Sequence, residues 1–103
     1  MDRIEKLKEF LAANPKDSFV QHALGLEYIK LGDDAAARLL FEAILAQEPG
    51  YVGTYYHLAK LLERNELVPE AIKIYEKGME EAKKAGEQHN YNELRGAYEE
   101  LTF

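Results

Sequence analysis

The sequence predicts an all-α protein of about six short helices, folded as antiparallel hairpins that stack on one another. Two observations carry that expectation. Apolar residues recur at three- and four-residue steps in successive blocks, with the three prolines and several of the glycines between blocks. The pattern also repeats. Laying the chain over itself with Leu24 on Leu58 sets Gly25 on Ala59, Tyr28 on Leu62, Ala37 on Ala71, Leu40 on Ile74 and Phe41 on Tyr75, large on large and small on small. Carried backward, the same displacement puts Leu7 under Phe41, Leu11 under Leu45 and Pro15 on Pro49, so the first block reads as the second half of a truncated unit.

Composition narrows the function before any motif does. A hydrophobic content of 47% over 103 residues is enough for the core of one domain. The 19 acidic against 13 basic side chains give a formal charge of −6, which repels nucleic-acid phosphates and anionic lipid headgroups. The densest cationic run, Lys83-Lys84, follows Glu80-Glu81 and reads as the solvated end of a helix, so neither a nucleic-acid nor a membrane partner is expected. The absence of cysteine excludes disulfides and thiolate metal sites and fits a reducing compartment. The opening MDRIEKLKEF lacks the apolar core of a signal peptide, and a cytoplasmic location is expected.

Each helix follows from local chemistry. Ile4, Leu7, Phe10 and Leu11 stripe a first helix that stops before Pro15. Asp17 or Ser18 caps the second, which carries Val20, Leu24, Tyr28 and Leu31 and ends at Gly32. Asp33 or Asp34 caps the third, running through Ala37, Leu40, Phe41, Ile44 and Leu45 to a stop before Pro49. The next stretch, YVGTYYHL from Tyr51, is rich in strand-favouring residues. Yet Tyr55, Leu58 and Leu62 keep helical spacing, so a fourth helix is predicted against local propensity. Its closing turn, RNELVP, has no glycine where the earlier turn has Gly32. A fifth helix starts near Pro69, a residue suited to a first turn, and runs through Ala71, Ile74, Tyr75 and Met79 to about Ala85. The sixth uses Tyr91, Leu94, Tyr98 and Leu101 after a two-residue offset that places Arg95 at the small-residue crossing position.

Small side chains at Gly25, Ala37, Ala59 and Ala71 are expected where paired helices cross, because they let backbones approach to about 8–10 Å. Leu24, Tyr28, Phe41, Leu58, Leu62 and Tyr75 then fill the layers between helices. The stretch LGLEYIKLGDDAAARLLFEAILAQEP resembles the tetratricopeptide repeat family: Leu24-Gly25, Tyr28, Gly32-Asp33, Ala37, Phe41 and Pro49 stand at its characteristic positions. The displacement from Leu24 to Leu58 is also that family's repeat length. A second unit follows as Tyr55, Leu58-Ala59, Leu62, Ala71 and Tyr75, with Tyr55 in place of the family's tryptophan. The resemblance implies a single tetratricopeptide-like domain, a right-handed superhelical stack of hairpins. Residues 1–15 would be a partial repeat or capping helix, 18–51 and 52–85 two repeats, and 88–102 a C-terminal capping helix.

It also implies a function. First helices of the hairpins line a concave face that binds an extended peptide or a partner helix. The matching positions are Phe19, His22, Leu26 and Ile29 on one helix, and Tyr56, His57, Lys60, Glu63 and Arg64 on the next. Phe19, Leu26, Ile29 and Tyr56 are not needed by the internal packing and are expected to form an exposed apolar patch, the usual mark of a contact surface. A clamp for an acidic C-terminal carboxylate is not expected, because His22, Leu26, His57, His89 and Glu93 stand where the family places lysine, asparagine and arginine.

Enzyme chemistry finds no support. There is no glycine-rich phosphate loop, Ser18 is explained by capping, and the Glu80-Glu81 and Glu99-Glu100 doublets diverge around a helix. The three histidines lack His-x₃-His spacing, so no metal and no cofactor are expected. The expectation is an interaction module without chemistry of its own, whose partner is a protein or peptide. Two alternatives remain open: a homo-oligomer, such as a homodimer, burying the apolar face or the end helix with Tyr98, Leu101 and Phe103, and a segment of a longer repeat array.

Overall fold

The computed structural model describes residues 2–103. The fold is all-α, with six helices among the described residues: α1 Arg3–Ala13, α2 Ser18–Lys30, α3 Asp34–Gln47, α4 Gly53–Arg64, α5 Val68–Ala85 and α6 Gln88–Thr102. They fall into two compact units, Met1–Glu48 and Pro49–Phe103.

In the first unit α2 packs against α3 and α1. Each of its helices starts at an aspartate whose carboxylate accepts a hydrogen bond from the backbone N–H three residues on: Asp2 from Glu5 at 2.8 Å, Asp17 from Val20 at 3.0 Å and Asp33 from Ala36 at 3.1 Å. This satisfies a donor that the first helical turn otherwise leaves unpaired. Leu7, Ala23 and Leu24 form one core cluster, with Ile4, Leu11, Val20, Tyr28 and Leu40 packed around it. Gly25 lies under Phe41: a methyl group there would stand 2.5 Å from the ring, so the predicted crossing of α2 and α3 requires the absence of a side chain.

In the second unit α5 packs against both α4 and α6, and α4 also touches α6. YVGTYYHL is helical from Gly53 onward, and Val52, Thr54, Tyr55 and Leu58 are buried. Tertiary burial of the rings and the β-branched residues outweighs their strand preference. Ala59 and Ala71 are fully buried, as expected of crossing residues. A second close approach has no counterpart in the sequence prediction. A methyl group on Gly78 would stand 2.7 Å from Tyr55 Cβ and 3.0 Å from Leu94 Cδ1, so α5 meets both neighbours at this glycine. Arg95, which takes the small-residue position on a last helix expected to present a polar face, is exposed and pairs with Glu99 at 3.5 Å, while Leu94 and Ala97 turn inward.

Helices α2, α4 and α5 end alike. Gly32, Glu66 and Gly86 adopt φ of 79°, 63° and 70°. In each case the next residue's N–H reaches back to the carbonyl five residues earlier, as Asp33 to Tyr28, Leu67 to Leu62 and Glu87 to Ala82, all at 2.9 Å. The turn without glycine therefore closes like the others, with a glutamate in the left-handed conformation.

Candidate functional site

The predicted site residues lie on α2 and α4, and the structure gathers them into one face on each unit. On α2, Phe19 is 73% exposed. His22, Leu26 and Ile29 are half-buried, so the patch offers one open ring rather than a broad apolar sheet. The His22 ring lies 5.5 Å from that of Phe41, tilted by 41°, which anchors the imidazole to the core behind it.

Phe19, His22 and Leu26 line a cleft of about 410 Å³ together with Arg3 of α1 and Glu27 and Lys30 of α2. Ile29 is not part of its wall. Glu27, whose side chain is only 15% exposed, takes Arg3 at 3.4 Å and Lys30 at 3.1 Å. The cleft thus combines an apolar mouth with two cations held by one carboxylate. Arg3 and Glu27 are absent from the sequence prediction. The i,i+3 spacing of Glu27 and Lys30 is visible in the sequence, but the approach of Arg3 depends on how α1 packs.

On α4, Tyr56, His57, Lys60 and Glu63 are half-buried and Arg64 is exposed. Four of them form a chain of contacts. The Tyr56 ring meets His57 edge-on at 5.8 Å, and the Lys60 ammonium lies 5.6 Å from the Tyr56 centroid and 3.6 Å from Glu63. The buried Tyr75 hydroxyl of α5 donates to Glu63. Burial raises the Tyr75 phenol well above the ordinary tyrosine range, and the hydrogen bond to Glu63 adds to it. Glu63 is therefore held from below, and its carboxylate serves the packing of α4 on α5 as well as the surface. Burial also holds His57 below the ordinary histidine pKa, opposed by the Glu93 carboxylate of α6, so the neutral imidazole is favoured at pH 7.

Among the described residues, no group of three or more His, Asp or Glu side chains is arranged to hold a metal ion, and no helix is long and apolar enough to cross a membrane. Each face sets rings and aliphatic side chains beside charged groups that are already paired.

A chain of helical hairpins that cross at glycine or alanine and return in register, Leu24-Gly25 as Leu58-Ala59, is a helical-repeat protein. Residues 28–97 match the tetratricopeptide repeat family, and the chain belongs to it. A tetratricopeptide repeat domain protein from Salinibacter ruber is similar in both its crystal and its solution structure, at 40% identity over 84% of this chain. The crystal structure superposes with a TM-score of 0.80 over 96% of that chain, and the solution structure with 0.81 over 88%. A protein from Bordetella parapertussis, known from its solution structure, shares the fold at 24% identity, with a TM-score of 0.84 over 99% of this chain and 89% of that one. No curated protein matches. The family consists generally of protein-interaction modules and typically lacks catalytic activity.

Proposed function

We propose that this protein is an adaptor that captures an extended peptide or a partner helix on the first-helix faces of its units, with no chemistry of its own. The observation that carries the reading is the α2 cleft, where Phe19 stands open at the mouth while Leu26 and His22 form the wall. An apolar side chain of the partner seats against Phe19 and Leu26, and this buried anchor supplies most of the affinity. Arg3, Glu27 and Lys30 set orientation at the rim, where their charges contribute more to specificity and encounter than to binding strength. The α4 face offers a second surface of the same kind. Tyr56 and His57 present the rings, Lys60, Glu63 and Arg64 the polar contacts, and Ile29 extends the apolar edge of α2.

A random-peptide display library panned on the purified chain tests this. Peptides enriched on the wild type are expected to carry an aromatic or large aliphatic anchor and to bind Phe19→Asp at least about tenfold more weakly, a loss of about 1.4 kcal/mol. Phe19 is exposed, so far-UV circular dichroism of the variant is expected to match the wild type. Enrichment of no peptide, or of peptides that Phe19→Asp binds equally well, would overturn the proposal.

A further inference from the structure

The outward face of α6 carries a second aromatic surface, within the second unit and separate from the α4 face. At 100° per residue, Tyr91, Arg95, Tyr98 and Thr102 form one stripe of the helix, next to the inward stripe of Leu94 and Ala97. Tyr91, Arg95, Tyr98 and Glu99 line a cleft of about 440 Å³ with Met79 of α5 and with Phe103, which is 95% exposed. Two of the rings are held in place. The Lys83 ammonium lies 5.7 Å from the Tyr91 centroid, and the Tyr98 hydroxyl donates to Glu76 at 3.1 Å. Rings fixed in advance lose little freedom when a partner covers them.

We propose that a second copy of this chain covers the cleft, α6 against α6, antiparallel about a two-fold axis. The arrangement of charge selects this occupant. Arg95 and Glu99 are the two charged residues of the cleft, they have opposite sign, and they lie one turn apart on the same side of the helix. In an antiparallel pair, residues at equal distances on either side of the axis meet. An axis level with Ala97 sets Arg95 opposite Glu99 of the second copy and repeats the contact on the other side, so that one ion pair within the chain becomes a four-membered network across the interface. The same axis sets Tyr91 opposite Phe103 of the second copy, again twice. A two-fold interface must be self-complementary in this way, each residue meeting its partner reciprocally.

A single pair of helices about 22 Å long covers an area at the small end of specific interfaces, so association in the micromolar range is expected. At physiological salt, repulsion between two chains of formal charge −6 is screened beyond about 8 Å, while the contact pairs persist.

Sedimentation equilibrium from low to high micromolar chain concentration tests the proposal. The wild type is expected to pass from monomer to dimer. Arg95→Glu and Glu99→Arg are each expected to remain monomeric with unchanged circular dichroism, because each sets like charges against one another across the axis. An equimolar mixture of the two variants is expected to recover the dimer, since the acidic stripe of one then faces the basic stripe of the other. A wild type that stays monomeric throughout, single variants that dimerise like the wild type, or a mixture that stays monomeric would each overturn it.

Discussion

Gln21 and Tyr55 fall at the same position of the two units when Leu24 is laid on Leu58, and they make the same hydrogen bond with different chemistry. Gln21 Nε2 donates to the carbonyl of Pro15 at 3.2 Å, and Tyr55 Oη donates to the carbonyl of Pro49 at 2.5 Å. The two prolines correspond in the same register. Around this shared bond the units are filled differently. In the first, the two N–H groups of Gln47 Nε2 are shared among three acceptors, Gln21 Oε1 at 3.0 Å, Ser18 Oγ at 3.1 Å and the Lys16 carbonyl at 2.9 Å, while Ser18 donates to Glu48 at 2.7 Å. In the second, a ring takes the place of the amide network and lies against Gly78. The equivalent of Gly78 in the first unit is Ile44, which is fully buried. The larger residue of the pair is on the second helix of the hairpin in one unit and on the first helix in the other. What repeats is the satisfied carbonyl and the filled volume, rather than the residue type.

The largest expected effect comes from breaking that exchange of volume. Tyr55→Gln in the second unit removes a ring that is 2% exposed and leaves a cavity over Gly78, a loss of roughly 2–5 kcal/mol. Gly78→Ile alone drives a branched side chain into both Tyr55 and Leu94 and costs about 1–3 kcal/mol or more. Together they restore the residue pair of the first unit and relieve the contact at position 55, leaving the one with Leu94. The double variant is expected to be more stable than the two single losses predict, by a coupling of about 0.5–3 kcal/mol. Urea denaturation of the four proteins measures it, and strict additivity would show that the two positions do not compensate.

The second effect separates the units by pH. Burial pushes the Tyr55 phenol up to about 12, with Glu81 and then Glu80 adding to the shift, whereas Gln21 at the same position has no proton to lose. The sign follows from which form is buried. The folded unit holds the neutral phenol, and an unfolded tyrosine ionises near pH 10. The stabilisation is therefore complete below about pH 10 and is lost as pH rises through about 12. Tyr75, also raised, acts in the same direction. Absorbance at 295 nm is expected to show these two phenols ionising late, together with the loss of helical circular dichroism. Tyr55→Phe is expected to remove its share of the late absorbance change. Ionisation of every tyrosine near pH 10 with full helicity retained would contradict this.

The same comparison shows what the sequence made legible. Displacement by one repeat pairs small with small at Gly25 and Ala59 and at Ala37 and Ala71; Gly25 lies under Phe41, and the three alanines are fully buried. Gly78 opposite Ile44 breaks the size match and leaves no signal in such a comparison. Gln21 was hidden because an amide reads as a surface residue until Pro15 and Gln47 are in place around it. The candidate site divides similarly. Helical phase assigns Phe19, His22 and Leu26 to one face, but the degree of exposure is set by packing. Leu26, Ile29 and Tyr56 are half-buried where open apolar surface was expected. Arg3 joins the α2 cleft only through the tertiary contact of α1.

The smallest effect concerns the two hairpin turns, which also correspond between the units. The first closes on Gly32 and passes to Asp33, whose carboxylate caps α3 at 3.1 Å. The second closes on Glu66 and passes to Leu67, which makes no side-chain cap but is half-buried, with Pro69 in the first turn of α5. Glu66 bears the cost of a left-handed L residue, about 1–2 kcal/mol, and glycine there gives back part of the gain, up to about 1 kcal/mol, by loosening the unfolded chain. Glu66→Gly is therefore expected to stabilise the protein by about 0.5–1 kcal/mol, seen as a higher urea midpoint at an unchanged slope. Gly32→Ala, which places a Cβ in the same conformation, is expected to lower the midpoint by a similar amount. If Glu66→Gly lowered it instead, the glutamate side chain would be contributing more at this turn than its backbone costs, and the two turns would differ in more than the residue that closes them.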